Sequence, residues 1–275
     1  PGATPKFKSI KGIESIESVQ FIDQSPIGAS PSSTPATYTG VFDFIRDIYA
    51  ATNMAKVRGF SKGRFSFNTG EGRCSVCEGK GAILVQMHFL ADVWMECEQC
   101  RGLRFNAETL SIKFKEKTIS DILNLTVEEA FQLFIDYPKI RRRLQGLIDV
   151  GLEYLKMGQS SISLSGGESQ RMKLAAELYK PNTAHTLYIL DEPTTGQHFD
   201  DINKLVAIFQ RLVNDGHTLI VVEHNLDVIK NADYIIDLGP EGGKNGGELL
   251  FQGTPENLIK QKNNVTGQYL KEKLK

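Results

Sequence analysis

Three apolar runs in the second half of the chain, at 187–190, 218–222 and 234–238, constrain its fold more than any other feature. They read as continuous rather than alternating, the pattern of strands covered on both faces of a parallel sheet. Segments of helical length at 168–179 and 201–214 precede and separate them, and that order builds an α/β lobe. The first half has a different texture. A strand at 16–23 leads into a Pro/Ser/Thr-rich loop at 24–40. Residues 41–52 then show helical spacing, with Val41, Phe42, Ile45, Ile48 and Tyr49 on one side. Thr126-x-x-Glu129 is a capping box opening a helix through about residue 135, and a second helix follows Pro138.

Two short motifs carry phosphate chemistry. In Leu164-Ser165-Gly166-Gly167-Glu168, Ser165 can cap the following helix while the glycines let its first N–H groups approach an anion on the helix dipole. Read alone, the same residues describe a Ser-capped helix after a glycine turn. Leu187-Tyr188-Ile189-Leu190-Asp191-Glu192 is a strand ending in two carboxylates, the first twenty-three residues beyond Glu168, where α/β folds place ligand chemistry. Asp191 there suits Mg²⁺, directly or through water, and Glu192 suits polarising an attacking water. His224, just past the 218–222 strand, can donate to a γ-phosphate, although a lone histidine at a strand end is commonly structural. Gln24, just past the first strand, carries no signal by itself.

Four cysteines follow C-x2-C, nineteen residues, C-x2-C: Cys74, Cys77, Cys97 and Cys100. This is the spacing of a closed, structural zinc ribbon with four thiolate ligands; a redox dithiol or unrelated buried thiols are the alternatives. Gly79, Gly81 and Gly102 follow the pairs and allow backbone N–H groups to turn back onto the thiolates. Two alternating runs inside the region, 83–89 and 93–95, predict a hairpin. Its Met87, Phe89 and Trp94 suit either stacking on distorted DNA or packing a module with little other core.

Composition excludes some classes. At 40% hydrophobic and 24% charged the chain is ordinary globular material, and no apolar run reaches the ~20 residues of a membrane helix. The net charge is −1, so any DNA surface has to be local. The best stretch is 54–80, with Lys56, Arg58, Lys62, Arg64, Arg73 and Lys80 against Glu71 and Glu78. Arg58, Lys62, Arg64 and Arg73 border the cysteines and are the candidate phosphate contacts, with Phe89 at the hairpin; Arg141-Arg142-Arg143 reads as a solvated helix face. The absence of a signal peptide and of a starting Met leads us to expect an excised fragment from a cytoplasmic protein.

Taken in order, Gln24, Ser165–Glu168, Asp191-Glu192 and His224 form the pattern of an ABC-type ATPase. Ile22-Asp23-Gln24-Ser25-Pro26-Ile27-Gly28, Gly63-Arg64-Phe65-Ser66-Phe67-Asn68 and Glu223-His224-Asn225-Leu226 narrow it further. So does Asp237-Leu238-Gly239-Pro240-Glu241-Gly242-Gly243. From about residue 10 to 270 the sequence resembles the C-terminal nucleotide-binding half of the UvrA family, the damage-recognising subunit of the bacterial excinuclease.

The resemblance implies an ABC-type P-loop NTPase-like lobe from residues 1–24 and 150–275. It implies an inserted helical signature subdomain at 25–149, with the zinc module at about 73–104. It implies Zn²⁺ on the four cysteines and ATP with Mg²⁺ as cofactors. Ser165, Gly166, Gly167 and Glu168 would then serve one nucleotide, and Asp191, Glu192, Gln24 and His224 another. The implied partners are damaged double-stranded DNA, a UvrB-type helicase subunit and a second copy of the full-length protein, with no membrane. No G-x-x-x-x-G-K-[ST] occurs in the sequence, so the lobe is expected to be incomplete and inactive alone.

The chain departs from the family where Ala29, Ser32 and Thr34 replace a common Ile-Gly-Arg-Thr-Pro-Arg-Ser-Asn-Pro pattern, and where Gln197 stands for leucine. Alternatives are a UvrA-like ABC ATPase linked to drug resistance or transport, and a chaperone-type cysteine-rich binding module without ATP chemistry.

Overall fold

The computed structural model describes residues 7–87, 92–179, 184–195, 199–243 and 246–274. Nine strands form among them: β1 (Ser18–Ile22), β2 (Ala82–Val85), β3 (Val93–Glu96), β4 (Lys113–Phe114), β5 (Lys117–Thr118), β6 (Thr186–Asp191), β7 (Thr218–Val222), β8 (Ile235–Gly239) and β9 (Glu248–Gly253). The chain divides into two compact units, residues 1–23 with 182–275, and residues 24–181.

The first unit is built on a parallel sheet in the order β1-β6-β7, with Ile22 opposite Leu190 and Asp191 opposite Val222. Parallel neighbours need a crossover, and the helix Phe199–Asn214 supplies it between β6 and β7. Its Ile202, Leu205, Ile208, Phe209 and Leu212 recur at helical spacing and are all buried. Ile22, Tyr188 and Leu190 are buried in the same unit.

Two expectations are corrected here. The 218–222 run is not covered on both faces: Ile220 and Val222 of β7 are exposed, as are Val19 and Phe21 of β1, Phe21 by 58%. The run at 234–238 does not join the parallel sheet. It becomes β8 and pairs antiparallel with β9, because the short glycine-rich connection between them suits a hairpin return and not a crossover. Ile236 on β8 is 66% exposed, while Ile235 is buried with Leu258 and Leu270 in a separate small core.

In the second unit the helix Val41–Ala51 buries Val41, Phe42, Ile45 and Tyr49. Phe42 meets Phe67, and Tyr49 meets Phe65 and Phe114. The buried Tyr49 hydroxyl donates to the Lys117 carbonyl at 2.7 Å, which satisfies its one polar atom. Thr126 and Glu129 exchange the two bonds of the expected capping box at the start of Val127–Leu133, and Pro138 opens Pro138–Asp149.

Helices Pro138–Asp149 and Gly166–Leu178 pack side by side. A Cβ on Gly146 would lie 2.6 Å from the Tyr179 ring, and Arg171 donates to the Val150 and Gly151 carbonyls at 3.3 Å. These contacts tie residues 150–179 to the second unit, whereas the sequence drew the boundary at about 150 and assigned them to the ATP-binding lobe. The hairpin forms as β2 and β3, with a first strand shorter than the expected 83–89. Its tip at 88–91 lies outside the described residues.

Candidate functional site

The cysteines are brought together from two similar turns. Cys74 and Cys77 precede β2, and Cys97 and Cys100 follow β3, so closing the hairpin stacks one pair on the other. Glu78-Gly79 after one pair and Arg101-Gly102 after the other all have positive φ, which folds the chain back over the sulfurs. Gly79 cannot be replaced cheaply, since a Cβ there would lie 1.8 Å from the Phe67 carbonyl oxygen. As expected, this return aims backbone at the thiols: the Gly81 N–H donates to Cys77 Sγ at 3.3 Å.

All four cysteines are buried and none is in a disulfide. Their sulfurs lie within 4.8 Å of one another. Cys74 and Cys97 are 3.9 Å apart, and Cys77 and Cys100 3.6 Å. Thiolates around a tetrahedral ion at about 2.3 Å stand about 3.8 Å apart, so the donor set fits one such ion. The backbone N–H of Cys100 is the main influence holding the Cys97 thiol down to about 7, whereas burial pushes Cys100 up to about 12. A cation in the centre would deprotonate all four.

In the same unit, Ser165 caps the helix Gly166–Leu178. Its hydroxyl accepts the Glu168 N–H at 3.2 Å, and Glu168 Oε2 accepts the Ser165 N–H at 2.7 Å. Tyr154 donates its hydroxyl to the other Glu168 oxygen at 2.6 Å. Burial disfavours the charged form, but these donors together outweigh it and hold the Glu168 carboxyl below the usual carboxylate range. Both Glu168 oxygens are therefore engaged in building the turn, and Gly166 and Gly167 present the backbone. Gln24 lies beside that turn: its Oε1 would be 3.1 Å from a Cβ on Gly166. Nearby, Lys173 Nζ donates to Ser25 Oγ at 2.7 Å. The sequence grouped Gln24 with Asp191, Glu192 and His224; its side chain lies against the start of Gly166–Leu178, the helix that the resemblance makes the signature helix.

The strand-end group belongs to the first unit. Asp191, the last residue of β6, is exposed. Glu192 follows at φ 44, a left-handed conformation uncommon for a side-chain-bearing residue, and its N–H donates to the Val222 carbonyl at 2.9 Å. The bend brings Glu192 Oε1 to 3.4 Å from Nε2 of His224, whose side chain is 83% exposed. Thr195 donates its hydroxyl to the other Glu192 oxygen at 3.3 Å.

The candidate phosphate contacts separate into two kinds. Arg64 is only 14% exposed, ion-paired with Glu108 and with Glu71, hydrogen-bonded to Thr109 Oγ1 at 3.1 Å, and stacked on Phe60 at 4.4 Å. It is a clamp inside its own unit, its guanidinium already engaged by these partners. Lys62 pairs with Asp47 at 2.8 Å on an exposed surface, Arg58 donates to Ser111 Oγ at 2.8 Å, and Arg73 to the Asn68 carbonyl at 3.1 Å. Phe89 and Gln197 lie outside the described residues.

No protein-family profile matches the chain. Over 97% of its length it is 58% identical to the UvrABC system protein A of Halalkalibacterium halodurans, covering 28% of that protein. It is 58% identical over 98% of its length to the UvrABC system protein A of Clostridium acetobutylicum, covering 29%. The crystal structure of UvrA2 from Deinococcus radiodurans matches it with a TM-score of 0.89 and 45% identity, covering 94% of this chain and 32% of that one. The chain belongs to the UvrA family.

It spans under a third of the length of the relatives it matches. The α/β class with a parallel sheet holds. This UvrA-family chain also contains a site residue that sequence reasoning passed over. One oxygen of Glu223 accepts the Thr194 N–H at 2.8 Å, and the other accepts the N–H groups of His224 and Asn225 at 2.8 and 3.0 Å. Glu223 thereby ties the loop after β6 to the loop after β7. Its position between a strand and a histidine was the available signal.

Proposed function

We propose that this chain is the C-terminal nucleotide-binding part of the ATP-binding, DNA-damage-recognising subunit of nucleotide excision repair. The observation that carries the reading is the meeting of Glu192 and His224 at 3.4 Å, at the carboxyl ends of β6 and β7, in a chain 58% identical to UvrABC system protein A. Asp191 and Glu192 supply two carboxylates at the sheet edge where α/β folds bind ligands, a donor set suited to Mg²⁺. Bound Mg²⁺ and ATP would supply charge neutralisation and the phosphoanhydride. Glu192 would orient water, and His224, held near it by the Glu223-braced loop, would face the terminal phosphate.

The first turn of Gly166–Leu178 offers open N–H groups to a second nucleotide, with Ser165 and Glu168 fixing their direction. Gln24 lies at that turn. The four cysteines would hold a structural Zn²⁺, because four buried sulfurs at tetrahedral spacing leave no place for water. The partners are damaged double-stranded DNA, a UvrB-type helicase subunit and a second copy of the longer protein. Arg58, Lys62 and Arg73 stand at the phosphate-facing surface beside the cysteine module.

Because no G-x-x-x-x-G-K-[ST] occurs in these 275 residues, the chain alone turns over ATP negligibly. In a protein of the relatives' length, Glu192→Gln slows hydrolysis at least ~100-fold while ATP binding is retained. An unchanged rate in that variant overturns the reading, and so does robust turnover by the isolated chain.

A further inference from the structure

The buried side chain of Arg104 has an unusual set of partners. It lies four residues after Cys100 and only 8% exposed. Its guanidinium donates to the carbonyls of Pro31 at 3.0 Å, Gly158 at 3.2 Å and Gly79 at 3.4 Å, and stacks on Phe67 at 4.9 Å. Among the described residues no carboxylate pairs with it. A buried cation with only neutral acceptors is costly, and such groups persist where a negative charge stands nearby. The negative charge here is the cysteine cluster, since four thiolates around a divalent ion carry a net charge of −2.

The backbone of Arg104 is tied to the same cluster. Its carbonyl accepts the Cys74 N–H at 2.8 Å, and its N–H donates to the Cys100 sulfur. It holds φ 69, a conformation a non-glycine residue adopts only where its surroundings impose it. One residue thus bonds both cysteine turns through its main chain and three separate loops through its side chain.

Two of those loops lead to the signature helix. Gly158 is packed so closely that a Cβ on it would meet Leu123 Cβ at 2.7 Å, and its N–H donates to the Leu123 carbonyl at 2.7 Å. Three residues on, the Ser161 N–H donates to the Ser33 carbonyl at 2.9 Å, and its hydroxyl to the Gly28 carbonyl at 3.0 Å. The segment from 158 to Ser165 is therefore pinned to the 28–33 loop, and Arg104 holds both from the cysteine side. Residue 158 has little freedom to shift without carrying Ser165, the cap, with it.

We propose that Arg104 is a positioning residue that makes the placement of the signature-helix start depend on the metal-bound state of the four cysteines. The proposal rests on the reading of the cluster as a metal site and of the Ser165 turn as a nucleotide contact. A guanidinium is needed for this role because its planar fork spans several carbonyls at once, which a lysine ammonium cannot do.

The test is a two-by-two cycle on the full chain: wild type and Arg104→Met, each loaded with Zn²⁺ or stripped by chelator, with amide hydrogen exchange read at 158–168. A Co²⁺-loaded sample of each reports the ligand set by its thiolate charge-transfer and tetrahedral ligand-field bands. We expect R104M to keep the tetrahedral four-thiolate cobalt spectrum. In zinc-loaded R104M, exchange at 158–168 should rise about tenfold, to the level of stripped wild type, and stripping the variant should add nothing further.

A purely structural arginine would leave the metal effect intact in the variant, and a full additional rise on stripping R104M overturns the proposal. So does loaded R104M exchanging like loaded wild type. Arg104→Lys keeps the charge and loses the fork, and is the second variant should R104M fail to fold; it too must lose the metal dependence, and retention overturns the proposal. Absence of a four-thiolate spectrum in the wild type would instead sink the metal reading and the proposal with it, an outcome distinct from a failure of coupling.

Discussion

The Glu223 carboxylate accepts the backbone N–H of Thr194 at 2.8 Å, and by that bond the segment carrying Glu192 is fixed to the segment carrying His224. Neither strand places its loop alone. β6 ends at Asp191 and β7 at Val222, so the geometry beyond them depends on this bridging carboxylate, whose other oxygen takes the N–H groups of His224 and Asn225. Glu223→Ala removes three charge-assisted bonds, and because the site is only partly buried, water replaces part of what they contribute. Urea denaturation should show a loss of about 2 kcal/mol, and His224→Ala a loss within ~0.5 kcal/mol because that side chain is exposed. Equal effects of the two would contradict the bracing role.

The signature turn gives a pH-dependent prediction. The Glu168 carboxyl lies below its ordinary value in the folded chain. Its stabilising contribution is therefore complete above the unfolded value of about 4.3 and is lost as pH falls through the lower folded value. Ser165→Ala should cost about 1 kcal/mol at pH 7. Glu168→Gln should be destabilising at pH 7 and approach wild type as pH drops below 4, measured by the urea midpoint at each pH. A gap between E168Q and wild type that widens toward acid would contradict the assignment.

Arg64 and its neighbours should behave differently on mutation. Arg64→Ala breaks two ion pairs, a hydrogen bond and an aromatic stack in a largely buried place, and should lower stability by about 2 kcal/mol. Arg58→Ala and Lys62→Ala should change stability by less than ~0.5 kcal/mol. In the longer protein each should flatten the salt dependence of duplex binding by about one unit of slope, lowering affinity for any sequence. If R64A leaves the melting transition untouched, the clamp is wrongly assigned.

Local signals were legible in the sequence where a motif closes on itself. Thr126-x-x-Glu129 and Ser165-x-x-Glu168 each form both bonds of a capping box, since the partners lie within one helical turn. The four cysteines converge as their spacing required, because a hairpin between two matched turns has few other ways to close.

What the sequence hid depends on long-range partners. An apolar run such as 234–238 does not say which strand it will pair with, and β9 claimed it. The placement of residues 150–179 was set by Gly146 against Tyr179 and by Arg171 against the Val150 and Gly151 carbonyls, contacts absent from any local pattern. Arg104 and Glu223 escaped notice because their partners are mostly backbone groups, some tens of residues away, and backbone carries no sequence mark. Charge alone also does not reveal that Glu71 and Glu108 engage Arg64.

The central claim, that this UvrA-family chain serves a damage-sensing ATPase, is tested most directly by one titration. A protein of the relatives' length is titrated with matched duplexes, one carrying a bulky lesion and one plain, with ATP and at fixed salt. The account predicts at least ~10-fold tighter binding to the lesion-bearing duplex, since phosphate contacts alone are indifferent to damage and the discrimination must come from deformability or insertion. It also predicts that deleting residues 88–92, with Cys74, Cys77, Cys97 and Cys100 kept, narrows that ratio while zinc stays bound. Equal affinity for the two duplexes would contradict the account.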